Sequence, residues 1–216
     1  MKLLDTLLDL IYPPRCPFCR RLLQKKETLV CPDCLRSLRR VPESAQRRDI
    51  NNISLAAAPL CYEGDVRASL LRYKFRGVTA YAPVYAEFIQ KCIDENAFSC
   101  DSITWVPLSK RRLRTRGYDQ AELIARELAK GMGLPCERLL VKTVNNRAQS
   151  RTGGAEERRA NAAGVYVCPC PERVKGKRVL LVDDIITTGA TVSECARVLK
   201  AAGCIEVYAA AAATRV

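Results

Sequence analysis

Apolar and polar positions alternate in two different patterns along most of the chain after Ser54. Short apolar runs predict buried strands, and apolar residues that recur every three or four positions predict helices. The predicted strands span residues 55–62, 103–106, 139–144, 165–168, 178–182 and 205–211, and the predicted helices span 66–75, 81–96, 120–132 and 192–202. Because strands alternate with helices, we expect an α/β fold: a mostly parallel sheet with flanking helices and right-handed crossovers.

The first 50 residues follow a different pattern. Leucines at helical spacing predict a short amphipathic helix over residues 2–11, ended by Pro13 and Pro14. We expect it to pack against the cysteine-rich segment that follows, with a membrane or partner contact as the alternative. Residues 41–52 are polar and predict a linker. The division is therefore an N-terminal unit over residues 1–50 and an α/β domain over residues 51–216.

Four of the twelve cysteines form two C-x-x-C pairs separated by eleven residues: Cys16 with Cys19, and Cys31 with Cys34. Two such pairs facing each other supply the tetrahedral thiolate shell that zinc accepts, and a closed shell of four protein ligands is structural. The alternative is a redox pair of the thioredoxin type, but neither pair begins a helix in a βαβ unit. We therefore predict one structural zinc in a small zinc-ribbon-like module.

The run of residues 179–191 carries the most chemical information. An apolar strand delivers Asp183 and Asp184 to its carboxyl end, where ligands bind in open α/β sheets. A threonine-rich turn then leads into a helix and offers amides, hydroxyls and the positive end of the helix dipole to a phosphate. Together these groups predict a ribose 5-phosphate site. Phospho-receiver and metal-binding folds also place paired aspartates after a strand, but they do not need such a turn.

This run resembles the phosphoribosyl pyrophosphate (PRPP) loop of type I phosphoribosyltransferases. With the zinc pairs, residues 106–121 (VPLSKRRLRTRGYDQA) resemble the matching segment of the ComF family. The resemblance implies a type I phosphoribosyltransferase fold, binding of PRPP with Mg²⁺, and a cytoplasmic role in DNA uptake and natural transformation, with handling of incoming single-stranded DNA. Residues 145–161 occupy the place of the flexible loop in such enzymes, and we assign no catalytic residue there.

Roles can be assigned residue by residue on that basis. Asp183 and Asp184 are the candidate catalytic residues, because carboxylates stabilise positive charge that develops on the ribose ring. The remaining PRPP contacts are expected at two segments: Thr187, Thr188, Gly189, Ala190 and Thr191 for the 5′-phosphate, and Leu108, Ser109 and Lys110 for the pyrophosphate.

The net charge of +13 favours a polyanionic partner, such as PRPP, nucleic acid or an anionic membrane surface. DNA-uptake or recombination proteins are further partners to consider, and the sequence leaves the oligomeric state open. Two basic stretches, one of them interleaved with aromatic residues, suit single-stranded nucleic acid. Their candidate contacts are Arg72, Tyr73, Lys74, Arg111, Arg112, Arg114 and Arg116. For Tyr73 and Phe75, packing at a helix end is the competing interpretation, and for Arg111, Arg112 and Arg114 it is a solvated charge in a loop.

Three functions stay open from the sequence: an enzyme that transfers the phosphoribosyl group to an unidentified acceptor, a protein that binds single-stranded DNA, and a PRPP sensor without turnover. The chain has no histidine, so a general base would be a carboxylate, cysteine, tyrosine or the pyrophosphate itself. Lys2, not cysteine, follows Met1, so we expect no glutaminase activity of the N-terminal-nucleophile type.

Overall fold

The computed structural model describes residues 13–24, 29–42, 50–96, 98–143 and 164–215. Within these ranges the elements, in chain order, are α1 (Pro32–Ser37), β1 (Leu55–Ala57), β2 (Leu60–Cys61), α2 (Gly64–Phe75), α3 (Ala82–Glu95), β3 (Ser102–Trp105), α4 (Lys110–Arg116), α5 (Gln120–Met132), β4 (Val141–Lys142), β5 (Tyr166–Val167), β6 (Arg178–Ile186), α6 (Ala190–Ala201) and β7 (Glu206–Thr214). The helix predicted over residues 2–11 and the segment 145–161 lie outside the described residues.

Five parallel strands form the main sheet. β6 and β7 lie at its centre, β3 pairs with β6, and both β1 and β2 pair with β7. The short strands β4 and β5 pair antiparallel with each other, apart from this sheet. The expected mostly parallel α/β arrangement is therefore confirmed.

Three sequence predictions are corrected. The strand predicted over residues 55–62 is two strands that pair with β7 in the same register and are interrupted at Ala58 and Pro59, where proline has no amide to donate. The strand predicted to end at Val182 continues through both aspartates to Ile186, because β7 pairs with it that far. The basic stretch expected to be a loop contains helix α4, which Ser109 caps through its side chain and Gly117 ends at a φ of 81°.

Each face of the main sheet has its own hydrophobic core. One core joins helices α2, α3 and α5 to the sheet and includes Phe18 and three of the four clustered cysteines. The other joins α6 to the opposite face and includes Tyr166 and Ile50. The cysteine module is thus continuous with the first core, since Phe18 is only 2% exposed and its ring meets Phe88 edge-on at 6.1 Å between centroids.

The expected linker takes part in the fold at both of its described ends. The Val41 amide donates to the Pro59 carbonyl, and Arg40 bridges to Leu60 in antiparallel fashion. Ile50 is buried in the second core. The polar pattern failed to predict these contacts because each depends on a single residue that meets a distant part of the chain.

Candidate functional site

A cleft of about 870 Å³ opens at the carboxyl end of the main sheet. β3 ends at Trp105, opposite Val182, whereas β6 continues past it. The edge of β6 that carries the two aspartates is therefore uncovered beyond Val182. This one-sided ending of β3 creates the cleft.

Asp184 lies on the floor of the cleft and is 4% exposed. Its Oδ1 atom is 2.9 Å from the Lys74 Nζ atom, and its Oδ2 atom accepts a hydrogen bond of 2.8 Å from the Gln120 side-chain amide. Both carboxylate oxygens therefore have partners from two different helices, α2 and α5. The paired cation and the second donor fix the position of this buried carboxylate.

Asp183 has a different environment. Its Oδ1 atom accepts a 2.8 Å hydrogen bond from the Asp184 backbone amide. Burial, and after it the neighbouring Asp184 carboxylate, raise the pKa of Asp183 to about 8, against the lowering effect of Lys74. The two adjacent acids therefore differ: Asp184 is paired, and Asp183 favours its protonated form until an incoming cation or donor stabilises the charge.

Five cations line the same cleft against these two acids, which makes the cleft a site for an anion. Lys142 faces the cleft from β4, where its Nζ atom lies 3.2 Å from the Tyr166 hydroxyl and 5.1 Å from that ring's centroid. Burial lowers the pKa of Lys142, with Arg112 adding to the effect. The cations are Lys74, Arg111, Arg112, Arg116 and Lys142.

The threonine turn lies beside the acids, as the sequence predicts, but it contributes less to the cleft wall than expected. Thr191, in the first turn of α6, lines the cleft, and the Thr188 hydroxyl accepts a hydrogen bond from the Ala190 amide at 3.4 Å. Gly189 adopts a φ of 76°, and a Cβ atom there would lie 2.8 Å from the Ile50 side chain. Gly189 is thus required by backbone conformation and by close packing of Ile50.

The second predicted PRPP segment is also at the cleft. Leu108 and Ser109 line it. The Leu108 amide already donates to the Asp119 carboxylate at 2.8 Å, and the Ser109 hydroxyl caps α4. Lys110, the first residue of α4, is exposed and is not among the cleft-lining residues. Two of the three predicted residues therefore lie at the cleft wall, each with a hydrogen bond to its own surroundings.

The three nucleic-acid candidates on α2 have three different environments. Tyr73 is fully buried: its ring packs on Tyr85 and Tyr118, and its hydroxyl donates to the Gln120 carbonyl, so the proposed stacking on a base is wrong for this residue. Arg72 donates to the Pro17 and Phe18 carbonyls at 2.6 and 2.9 Å, so its guanidinium joins α2 to the first cysteine pair. Lys74 pairs with Asp184.

The remaining basic candidates belong to α4, whose arginines are Arg111, Arg112, Arg114 and Arg116. The first three are exposed, and Arg116 is half-buried. Arg116 donates to the Gln120 side-chain oxygen and stacks over Phe75. Two cleft residues, Lys142 and Tyr166, carried no sequence signal as site residues, because distant segments bring them to the cleft. Phe75 belongs to the basic stretch that contains aromatic residues, and Tyr118 and Gln120 belong to the segment that resembles the ComF family.

The four clustered cysteines form the candidate metal centre. Their sulfur atoms all lie within 4.8 Å of one another, and the Cys19 and Cys31 sulfurs are 3.6 Å apart. Tetrahedral zinc with bonds of about 2.3 Å to sulfur requires spacings of this size. None of the four forms a disulfide, and Cys16, Cys31 and Cys34 are buried. The donor set therefore fits zinc, with a closed shell that leaves no position for chemistry.

Comparison with known proteins gives two family models along the chain. The phosphoribosyl transferase domain model matches residues 114–215, and the double zinc ribbon domain model matches residues 7–47. Together they confirm the fold class expected from the sequence. Across the described residues, every helix is too short or too polar to span a bilayer.

One curated relative matches most of this chain, and two others match about half of it. Competence protein ComFC of Bacillus subtilis is 29% identical over 188 residues, which cover 85% of this chain and 70% of that protein. Competence protein F of Haemophilus influenzae is 33% identical over 108 residues, which cover 50% of this chain and 47% of that protein. The DNA utilization protein YhgH of Escherichia coli K12 is 31% identical over 99 residues, covering 46% of this chain and 43% of its own. The match thus spans about half the length of two of these three relatives.

Among solved structures, a glutamine PRPP amidotransferase from B. subtilis, complexed with ADP and GMP, aligns over 64% of this chain and 30% of the amidotransferase chain. The two share 24% sequence identity, with a TM-score of 0.44. A likeness of that size carries no argument about activity.

Proposed function

We propose that this chain, which belongs to the ComF family of competence proteins, binds PRPP at its cleft and acts in the handling of DNA taken up by the cell. The names of its relatives refer to competence and to DNA utilization, which supports the second half of the proposal. A cytoplasmic location follows from that role.

The observation that carries the PRPP proposal is the cleft itself. Five cations surround an acidic pair at the carboxyl end of a parallel sheet, and helix α6 begins four residues after the last residue of the strand that carries the pair. PRPP carries a phosphate, a diol and a pyrophosphate, so it needs cations at two ends and acceptors in the middle. The acids in the centre of the cleft suit the ribose, and the surrounding arginines and lysines suit the charged groups.

We assign the residues as follows. The α6 start, with Thr191 and the turn at residues 187–189, holds the 5′-phosphate by its hydroxyls and amides. Asp183 and Asp184 accept from the ribose hydroxyls, and Lys74 and Gln120 hold Asp184 in position. Arg111 and Arg112 face the pyrophosphate from α4. Mg²⁺ that accompanies PRPP would neutralise the pyrophosphate, and Asp183 is the carboxylate better suited to approach it, because Lys74 already occupies Asp184.

A binding role for single-stranded DNA is the second candidate, and α4 favours it. Cations recur along this short exposed helix and can contact a nucleic-acid backbone next to the cleft. The two roles are compatible, because a strand held along α4 has its bases near the cleft. Single-stranded DNA can therefore bind together with PRPP, accept its phosphoribosyl group, or compete with it for the cleft.

Pyrophosphate release separates an enzyme from a sensor. The full chain is incubated with Mg·PRPP and with free bases, amines or single-stranded DNA as acceptor, and released pyrophosphate is measured. Release that depends on one acceptor class identifies an active phosphoribosyltransferase. Binding of PRPP without release under any acceptor supports a sensor. Absence of both binding and release contradicts the PRPP proposal.

A further inference from the structure

Phe75, the last residue of α2, is the exposed aromatic residue of the cleft. Its side chain is 69% exposed, although a phenylalanine ring gains free energy from burial. Four other large apolar side chains in the described parts of the chain are similarly exposed, namely Leu22, Leu35, Val167 and Ile205, but they are aliphatic and do not line this cleft. The exposed ring therefore lies where a ligand would cover it.

One side of the Phe75 ring is backed by Arg116. The guanidinium carbon lies 5.0 Å from the ring centroid, within the range of a cation–π contact. Arg116 also donates to the Gln120 side-chain oxygen, and the Gln120 amide donates to Asp184 at 2.8 Å. A chain of contacts thus runs from the ring to the acid expected at the ribose.

Cations for a phosphate backbone lie beside the ring as well. Arg111 and Arg112 are exposed on α4 and line the same cleft. An exposed aromatic face next to a basic surface is the combination by which proteins hold unpaired bases, because every base has a π-face that stacks. Tyr73, two residues earlier, cannot serve, since it is fully buried.

We propose that Phe75, backed by Arg116, is a stacking surface for an unpaired nucleobase at the mouth of the cleft. This inference rests on the proposed function, because it names the class of ligand that lies beside PRPP. The base comes either from single-stranded DNA or from a free nucleotide, and both sources present the same planar ring. Arg116 then has two roles: it supports the ring and holds Gln120 against Asp184.

The test compares strands with and without bases on the full chain. A labelled oligothymidylate and an abasic strand of equal length are titrated into the parent protein, Phe75→Ala, Phe75→Tyr and Ile205→Ala. Ile205 is 63% exposed and precedes β7 at the opposite end of the sheet, so it is the matched control. Phe75→Ala is expected to weaken binding of the oligothymidylate by about 5- to 100-fold, since one stacked base contributes that much affinity. Binding of the abasic strand should stay the same, and Phe75→Tyr should retain affinity for both.

A second arm identifies the source of the base. If a free nucleotide is sufficient, the parent protein should quench the fluorescence of a 2-aminopurine nucleotide and Phe75→Ala should not. If Phe75→Ala changes only the binding of the oligothymidylate, the stacked base comes from DNA. The inference is overturned if Phe75→Ala weakens base-bearing and abasic strands equally, or changes neither strand nor nucleotide binding. Mg·PRPP binding by the parent protein is measured alongside, so failure of the PRPP proposal is seen separately from failure of the stacking surface.

Discussion

Asp183 and Asp184 are neighbours in one strand, yet their surroundings assign them different tasks. Asp184 is paired with Lys74 and Gln120, whereas Asp183 accepts from a backbone amide and has a pKa raised to about 8 by burial and by Asp184. An acid that favours its protonated form in the free protein destabilises the fold when it ionises. A loss of stability of this kind is typical of a residue whose function is to bind a ligand.

The pH dependence of stability tests this difference. An aspartate in the unfolded chain ionises near pH 4, and Asp183 in the fold ionises near pH 8. Between these values the folded state binds more protons, so the free energy of unfolding falls as pH rises. Asp183→Asn removes this fall. Relative to the parent, the free energy of unfolding of the variant should therefore rise by at least about 1.4 kcal/mol between pH 5 and pH 8, the equivalent of one pKa unit.

Urea unfolding of both proteins at several pH values measures that gain. Asp94→Asn, an exposed aspartate at the end of α3, controls for the removal of one charge. A constant difference between Asp183→Asn and the parent across this pH range would show that Asp183 ionises as in the unfolded chain.

The sequence predicts the acidic pair but not which aromatic residue is exposed. Tyr73 and Phe75 are two residues apart, and two helical steps rotate a side chain by about 200°, so one of them faces the core and the other faces away. Periodicity alone does not say which. The choice depends on Tyr85 and Gln120, which reach Tyr73 from other helices.

At the level of elements, α4 is the main feature that the apolar pattern missed. Its seven residues contain a single apolar side chain, Leu113, so no helical period is visible. Its ends do carry a signal, because Ser109 is a good N-cap and Gly117 suits the left-handed conformation that ends a helix. The helix carries four arginines, of which Arg111, Arg112 and Arg116 line the cleft.

The arginines of α4 should determine how strongly DNA binding depends on salt. Replacing Arg111, Arg112 and Arg114 by alanine should flatten the slope of log affinity against log salt by about 0.7 for each phosphate that the protein no longer neutralises. The effect should be the same for different DNA sequences, because the arginines bind phosphate groups and not base edges. Titrations of labelled single-stranded DNA at several salt concentrations measure the slope.

The control for this prediction removes equal charge elsewhere. Lys175, Lys177 and Lys200 lie at the amino end of β6 and the end of α6, away from the cleft. Their replacement by alanine should leave the slope nearly unchanged. Equal flattening by both triple variants would mean that overall charge, and not α4, governs binding.

At the level of the whole molecule, the zinc ribbon and the α/β domain share a core. Phe18 packs on Phe88 of α3, and Arg72 of α2 donates to two carbonyls of the first cysteine pair. Two residues after Arg72, Lys74 pairs with Asp184. The cysteine spacing predicts the metal site, whereas this attachment could not be predicted, because it depends on contacts between residues more than fifty positions apart.

Removal of zinc should therefore destabilise both the zinc ribbon and the α/β domain. Cys31→Ser is expected to release the metal, expose residues 15–40 to proteolysis and lower the melting temperature of an α/β domain that still folds, because Phe88 is then uncovered. Metal binding in such modules contributes about 10–16 kcal/mol of apparent folding free energy. Elemental analysis, limited proteolysis and thermal unfolding measure these effects.

Cys170→Ser, outside the cluster, is the matched control and should retain the metal. Protein purified without chelator that contains no zinc would contradict the assignment.

Calorimetric titration of Mg·PRPP into the parent protein and into the double variant Asp183→Asn with Asp184→Asn tests the proposed site most directly. Asparagine preserves shape and removes charge, so the double variant should stay folded and bind at least about tenfold more weakly, as expected when a charge-assisted hydrogen bond is removed. Asp65→Asn with Asp94→Asn makes the same two substitutions at exposed positions and should bind like the parent. Equal PRPP affinity in the parent and the Asp183, Asp184 variant would contradict the assignment of the cleft.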